Sequence, residues 1–290
     1  MNLLKLAIPK GTMQESTINL FKKAGYNITI SGRSYYPHID DAEIETMLLR
    51  PQEMALYVEG GAVDLGLAGR DWVRECKADV LEIGALTYSK RTNQPARWVV
   101  AVEEDSSIKS IADLDGKVIF TELVEVTKAY LKDNGINATV KFSHGATEVK
   151  IPHLCDAIVE ITETGSSLRA NRLKIIDVVM ESVTTLIANK ESWQDEWKRT
   201  KIENLYLLLS GALAAENKVG LKMNVAKENL QSLLAILPAM KQPTISSLSE
   251  DGWCAVETII DEHVVRDLIP ELRRVGAEAI IEYPLNKVIP

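Results

Sequence analysis

Cysteine is scarce in this 290-residue chain, and its three copies, Cys76, Cys155 and Cys254, lie far apart with no metal-ligand spacing. That scarcity excludes a disulfide framework and a cysteine-built zinc site, and it points to the buried thiols of a cytoplasmic protein. Histidine is equally thin: His38, His144, His153 and His263 share no spacing, so none is assigned chemistry. No apolar run approaches the roughly 18 residues of a membrane span. The opening Met-Asn-Leu-Leu-Lys-Leu-Ala-Ile-Pro-Lys is expected to be a first strand rather than a signal peptide. A formal net charge of -8 excludes the broad basic surface that nucleic-acid binding needs. Low-complexity linkers and internal repeats are missing as well.

What is present reads as a soluble globular chain, 46% hydrophobic and 26% charged, long enough for two or three domains. Against the acidic background, the cations at loop ends, Lys10, Arg33, Arg50 and Arg70, gain interest as parts of a local anion site. The most informative stretch is Asp156-Ala-Ile-Val-Glu-Ile-Thr-Glu-Thr-Gly-Ser-Ser-Leu168, an apolar strand that runs into a Thr-Gly-Ser-Ser turn and a helix start. Backbone N–H groups, hydroxyls and a helix N-terminus converge there, and all favour a phosphate. Asp156 and Glu160 cannot help bind that anion. Four residues apart on a strand, they point to the same side, where carboxylates suit ribose hydroxyls or magnesium. A ribose 5-phosphate fits both halves, although an ordinary strand followed by a capped helix uses the same residues.

Along the chain, Leu3 to Pro9 is a predicted buried strand, and Thr12 with Glu15 forms a predicted capping box for a helix that Gly25 ends. Lys10-Gly11 therefore lies at the end of a strand and the start of a helix, where open α/β sheets bind ligands. Ala62 to Gly69 is a second predicted strand, with Asp71 as a natural N-cap of the next helix. From Ala96 to about Asp177 strands alternate with helices, which predicts a parallel-type sheet. Val178 to Asn189 is returned to the first lobe, so that two crossovers bound a cleft, and a connecting helix spans about Ser192 to Asn217. The remaining 218–290 follows a β-α-β-β-α-β rhythm, a ferredoxin-like unit. Trp193, Trp197 and Trp253 are expected to pack rather than to stack on a ligand.

The 156–168 segment resembles the phosphoribosyl diphosphate loop of the ATP phosphoribosyltransferase family. Ile8-Pro9-Lys10-Gly11, Val63 to Asp71, Gly145-Ala146-Thr147-Glu148-Val149, Leu237 to Ile245 and Gly276 to Ile280 also resemble family segments, in the family's order. The last two occur in the long form, which carries a C-terminal regulatory domain. The fold so implied is α/β: a two-lobed catalytic part like periplasmic binding proteins, then a ferredoxin-like, ACT-like domain. Lobe I would take 1–95 and 178–217, lobe II 96–177, and the regulatory domain 218–290.

By this resemblance the chain joins phosphoribosyl diphosphate to N1 of ATP with magnesium, and histidine inhibits it. Glu163, Thr164, Gly165, Ser166, Ser167 and Leu168 would hold the 5-phosphate, Asp156 and Glu160 would face the ribose, and Glu148 would lie near the transferring centre. Lys10 would bind pyrophosphate and, together with Arg70 and Asp71, ATP, and Asn224, Met240, Thr244 and Ala279 would receive histidine. The resemblance also implies a homo-hexamer in equilibrium with dimers, and it leaves the magnesium ligands unspecified. Where many relatives have Lys-Gly-Arg and a Thr-Tyr or Ser-Tyr with proline, this chain has Lys10-Gly11-Thr12 and Thr121-Glu122-Leu123-Val124. Other readings are a two-lobed binding or sensor protein without catalysis, and a phosphoribosyltransferase acting on another base. The second usually shows two adjacent acids before its Thr-Gly turn, an adjacency that Glu160-Ile161 lacks.

Overall fold

The computed structural model describes residues 2–88, 95–238 and 242–289, in two compact units, Met1–Tyr206 and Leu207–Pro290. In chain order the first unit opens with β1 (Leu4–Pro9), α1 (Gln14–Ala24), β2 (Ile28–Thr29), β3 (His38–Ile39), β4 (Ile44–Leu49), α2 (Pro51–Glu59), β5 (Leu65–Gly69), α3 (Arg70–Glu75) and β6 (Leu81–Leu86). It continues with β7 (Ala96–Glu103), β8 (Val118–Thr121), α4 (Val124–Asp133), β9 (Thr139–Phe142), β10 (Ala157–Thr162), α5 (Ser166–Ala170), β11 (Leu173–Ser182), β12 (Thr184–Ala188), α6 (Lys190–Gln194) and α7 (Glu196–Ala214). The boundary between the units falls within α7.

Two five-stranded sheets dominate the first unit, in the orders β4-β1-β5-β12-β6 and β11-β7-β10-β8-β9, and β2 pairs with β3 in a separate two-stranded sheet. Each is mixed rather than wholly parallel: β12 runs against β5 and β6, and β7 runs against β10 and β11. Strands that enter directly from the other sheet need no helical crossover and so can pair antiparallel. β11 stays in the second sheet through Ser182 and β12 joins the first at Thr184. The return expected at 177/178 therefore lies at Val183, because the pairing with β7 continues to its first residue.

Alternation along β7 explains the second lobe's two cores. Trp98, Val100 and Val102 face the α4 side with Leu131 and Val159, whereas Val99 and Ala101 face Ile158 and Leu168. The lobes are also tied by charge. Glu75, at the end of α3, accepts the backbone N–H groups of Glu125 and Val126 at 3.0 Å each, so a carboxylate of one lobe caps α4 of the other. Lys77 pairs with Glu125 at 2.8 Å beside it.

Several local expectations change. The N-cap of α1 is Met13, without a side-chain cap, so the Thr12–Glu15 box does not form. Ser110 and Asp113 form a capping box instead, on the 3-10 turn Ile111–Leu114. Within the stretch 96–177 where strands and helices are expected to alternate, 108–114 and 146–154 carry only the 3-10 turns Ile111–Leu114 and Thr147–Lys150. The connector is two helices, α6 and α7, and α7 is anchored early by Lys198 to Asp64 and by Lys201 to Asp41 and Glu43, each at 2.7 Å.

The second unit holds β13 (Lys218–Ala226), α8 (Leu230–Ile236), β14 (Thr244–Ser247), β15 (Trp253–Asp261), α9 (Glu262–Arg274) and β16 (Glu278–Pro284). The sheet order β14-β15-β13-β16, antiparallel throughout, is the ferredoxin-like order. Val219, Leu221, Met223 and Val225 alternate onto one face with Leu233, Leu268 and Leu272. Among the described residues no helix is long and apolar enough to cross a membrane.

Candidate active site

β10 delivers the phosphate-loop segment. Its last residue, Thr162, accepts the Gly165 N–H on Oγ1 at 2.7 Å, and Gly165 turns at φ 73° to start α5. Only glycine takes that left-handed position without strain, and a side-chain carbon there would meet Arg169 Nη1 at 2.9 Å. Arg169 reaches back to the Thr164 carbonyl at 3.0 Å and holds the turn. Leu168 is buried, 1% exposed, and anchors the helix, while Thr164, Ser166 and Ser167 leave their hydroxyls at the surface. Thr164 Oγ1 donates to Ser166 Oγ at 3.1 Å, and Ser167 Oγ donates to Glu148 Oε1 at 2.7 Å.

Glu148 rides on the 3-10 turn whose N-cap, Ala146, sits at φ 48°, a conformation that alanine adopts only under constraint. Glu160 is half-buried beside it. Burial pushes its carboxyl above the ordinary range, hydrogen bonds from Thr147 and the Ile161 N–H oppose this, and Glu148 and Glu122 raise it further. Asp156 does not join this group. It shares Glu160's face but precedes the strand, roughly 13 Å of extended chain away, and its Oδ2 takes the Val118 N–H at 2.8 Å. There it caps the start of β8, as Asp64 caps β1 through Lys5 N at 2.7 Å.

On lobe I, Lys10 and Arg50 follow the register pair Pro9 and Leu49 and so stand together at the ends of parallel strands. Lys10 Nζ lies 3.7 Å from the centroid of the Tyr35 ring and lowers the Tyr35 hydroxyl's pKa. Arg70 is engaged by Glu82 at 2.9 Å. Asp71 is not the N-cap of α3, a place held by Gly69. It is 3% exposed, and its carboxylate accepts Trp98 Nε1 at 2.7 Å from lobe II and Trp72 N at 2.9 Å. Gly69 makes room, since a Cβ there would lie 2.1 Å from Asp71 Oδ1.

A cleft of 360 Å³ lies between the lobes, with Thr12, Asp71, Trp72, Trp98, Glu122 and Glu163 among its lining residues. Trp72 and Trp98 meet edge to face, with centroids 6.5 Å apart. Neither tryptophan stands out in the sequence. The available signal is that Trp72 follows the acid at a helix start and that Trp98 interrupts an aliphatic strand. In the second unit, Asn224 pairs with Glu278 at a break in the β13–β16 register, next to Ala279 at φ 48°. Thr244 lies on β14, two strand spacings or about 10 Å from β13. Met240 lies outside the described residues.

Fold and cleft together define a two-lobed α/β protein with a candidate site between its lobes, followed in sequence by a ferredoxin-like domain. The family model described as ATP phosphoribosyltransferase matches residues 50–211, and the model for that family's C-terminal domain matches 215–287. The chain belongs to the ATP phosphoribosyltransferase family. It is 58% identical over 288 residues to the ATP phosphoribosyltransferase of Chlorobium phaeobacteroides, covering 99% of this chain and 98% of that protein. That of Pelotomaculum thermopropionicum is 58% identical over 287 residues, covering 99% of each. Among solved structures, the ATP phosphoribosyl transferase (HisG:HisZ) complex from Thermotoga maritima superposes with a TM-score of 0.61 at 27% identity, covering 72% of this chain and 99% of that one. The periplasmic aliphatic sulphonate binding protein SsuA of Escherichia coli, with TM-score 0.50 and 15% identity over 80% of this chain and 72% of that one, shares the fold alone.

Proposed function

We propose that this chain transfers the phosphoribosyl group of 5-phosphoribosyl 1-diphosphate to N1 of ATP, releasing pyrophosphate, as the first step of histidine biosynthesis. The observation that carries the reading is the meeting of hydroxyl and carboxylate at the left-handed turn, Ser167 Oγ on Glu148 Oε1 at 2.7 Å. A ribose 5-phosphate needs both: hydroxyls and N–H groups for the phosphate, carboxylates for the sugar. Family membership supports the same assignment.

In the reaction the N1 lone pair bonds to C1 as the C1–O bond breaks, and the bonding electrons leave on pyrophosphate. The ring carries positive charge in between, which ionised Glu148 and Glu160 are suited to stabilise. Lys10 and Arg50 suit the departing pyrophosphate, a point charge beside a fork of donors. Asp71 would act on ATP indirectly, by fixing Trp98 and Trp72 as one wall of the cleft. Asp156 is left out of the chemistry. Magnesium suits the oxygen donors here, because it keeps several waters and takes one or two carboxylates together with substrate phosphates. Glu148 and Glu160 would hold it, and when bound it would neutralise charge on pyrophosphate.

The same reading gives the ferredoxin-like domain to histidine, which would inhibit from the register break around Asn224 and Ala279. It has the enzyme in the cytoplasm as homo-hexamers in equilibrium with dimers. The test is near-ultraviolet absorbance of the purified protein with ATP, 5-phosphoribosyl 1-diphosphate, magnesium and pyrophosphatase. A rise that needs both substrates and falls with added histidine is expected. No rise under conditions where a relative works would overturn the reaction, and a rise indifferent to histidine would overturn the regulation alone.

A further inference from the structure

Glu122 is an acid of the cleft that the fold itself does not use. It sits in the turn between β8 and α4, and both of its neighbours are turned inward: Thr121 and Leu123 are each 0% exposed, and Thr121 Oγ1 accepts the Leu123 N–H at 3.0 Å. Thr121 is held further by its register partners Val159 and Phe142 and, through its carbonyl, by the Ser143 N–H at 2.9 Å. A residue between two buried neighbours faces the other way. Glu122 accordingly lines the cleft, half-buried, together with Thr12, Pro51 and Trp72 of lobe I. Among the described residues no hydrogen bond or ion pair engages its carboxylate. Asp71, also on the lining, is committed to Trp98 and Trp72, and Glu163 belongs to the phosphate turn.

Its place relative to the reacting atoms follows from Gly145. A Cβ on Gly145 would lie 3.7 Å from Glu122 Oε1, so the carboxylate lies beside the residue that leads into the 3-10 turn carrying Glu148. Glu148 is one of the acids assigned to the sugar. A base that bonds to C1 of that sugar therefore brings the edge around its N1 up to Glu122. On adenine this edge is an acceptor, N1, flanked by one donor, the 6-amino group. A carboxylate only accepts. It repels the N1 lone pair and takes an N–H of the amine, and both effects turn the base so that the lone pair aims away from Glu122 and at C1. Pro51, Trp72 and Ile161 line the same cleft and screen such a bond poorly, which strengthens it.

We propose that Glu122 selects a 6-aminopurine: its carboxylate accepts from the amino group beside N1 and so orients the base for attack. The inference rests on the reaction proposed above and names the group that reads the base.

The test compares ATP with purine riboside 5′-triphosphate, which carries hydrogen in place of the amino group, each as its magnesium complex. Binding to the full chain is measured by titration calorimetry without 5-phosphoribosyl 1-diphosphate. The parent should prefer ATP by about 10- to 100-fold, the worth of a hydrogen bond to a charged acceptor. Glu122→Ala should bring the two nucleotides to within about twofold of each other. Glu122→Gln, whose amide oxygen still accepts but carries no charge, should retain a preference of about 3- to 10-fold. Removing a negative charge shifts both triphosphates alike, so the ratio is the readout and neither affinity alone. A carboxylate that merely supported the turn, held magnesium or took a sugar hydroxyl would leave the ratio in Glu122→Ala at the parent's value, and that result overturns the proposal. A parent without a preference for ATP overturns it as well. Should Glu122→Ala fail to fold, Glu122→Ser makes the same comparison. Product formation is followed separately: if the parent prefers ATP yet forms no product, the proposed reaction fails while the ratio still decides what Glu122 reads.

Discussion

Replacing Asp71 by asparagine should loosen the first unit at the point where its lobes meet. The carboxylate is 3% exposed and takes Trp98 Nε1 at 2.7 Å across the cleft and Trp72 N at 2.9 Å within its own lobe. Asparagine keeps one acceptor oxygen for Trp72 but turns an NH₂ toward the indole N–H, so two donors face each other in a buried space. The lost charge-assisted bond and the stranded donor together cost about 3 kcal/mol. For a unit of this size each kcal/mol moves the midpoint by about 2–4 °C, so a fall of about 6–12 °C is expected. Calorimetry of the full chain reads it, and Trp98→Phe completes a double-mutant cycle. The two changes should be non-additive by about 1.5 kcal/mol or more, because both remove the same bond. Additivity to within about 0.5 kcal/mol would mean that the pair contributes nothing as a pair.

Glu160→Gln is expected to cut kcat by about 10²–10³-fold, the loss of a charge placed against the reacting ring, yet to stabilise the protein at neutral pH. The sign follows from the raised carboxyl: its stabilising contribution is full below the unfolded pKa and lost as pH rises through the higher folded one, and glutamine removes that loss. A denaturation series across acidic and neutral pH checks it, and a variant less stable at neutral pH contradicts it. Gly165→Ala must hold alanine at φ 73° against Arg169 and should cost about 1–2 kcal/mol, seen in urea melts, while raising KM for 5-phosphoribosyl 1-diphosphate. Joint Thr164→Ala and Ser167→Ala should raise the same KM without lowering the melting temperature, and an unchanged KM would remove the phosphate assignment. Ala279→Val forces a branched residue into φ 48° at the register break, so histidine inhibition should weaken while uninhibited kcat stays put.

Much of this was legible in the residues. Alternating apolar strands and glycine-ended helices mark the two five-stranded sheets and the four-stranded one, and Thr-Gly-Ser-Ser after an apolar strand marks the turn, because those signals are local. Failures came where a distant segment decides. Asp156 looks like Glu160's partner by spacing, but the chain gives its carboxylate to Val118 N in the neighbouring strand. Asp71 looks like an N-cap, but its real partner is an indole 27 residues later. The Thr12–Glu15 box matches a pattern and does not form, since α1 starts later, after Met13. The acid group of Glu122, Glu148 and Glu160 comes from three elements, and no spacing in the sequence announces it.

Phosphorus NMR of the running reaction tests the transfer most directly, with ATP, 5-phosphoribosyl 1-diphosphate and magnesium but no pyrophosphatase. Pyrophosphate should grow one for one as the diphosphate of the sugar falls, while all three phosphates of the ATP chain persist and a new sugar 5-phosphate appears. Cleavage of the ATP triphosphate, or pyrophosphate release that proceeds equally without ATP, would contradict transfer to the purine and leave only hydrolysis.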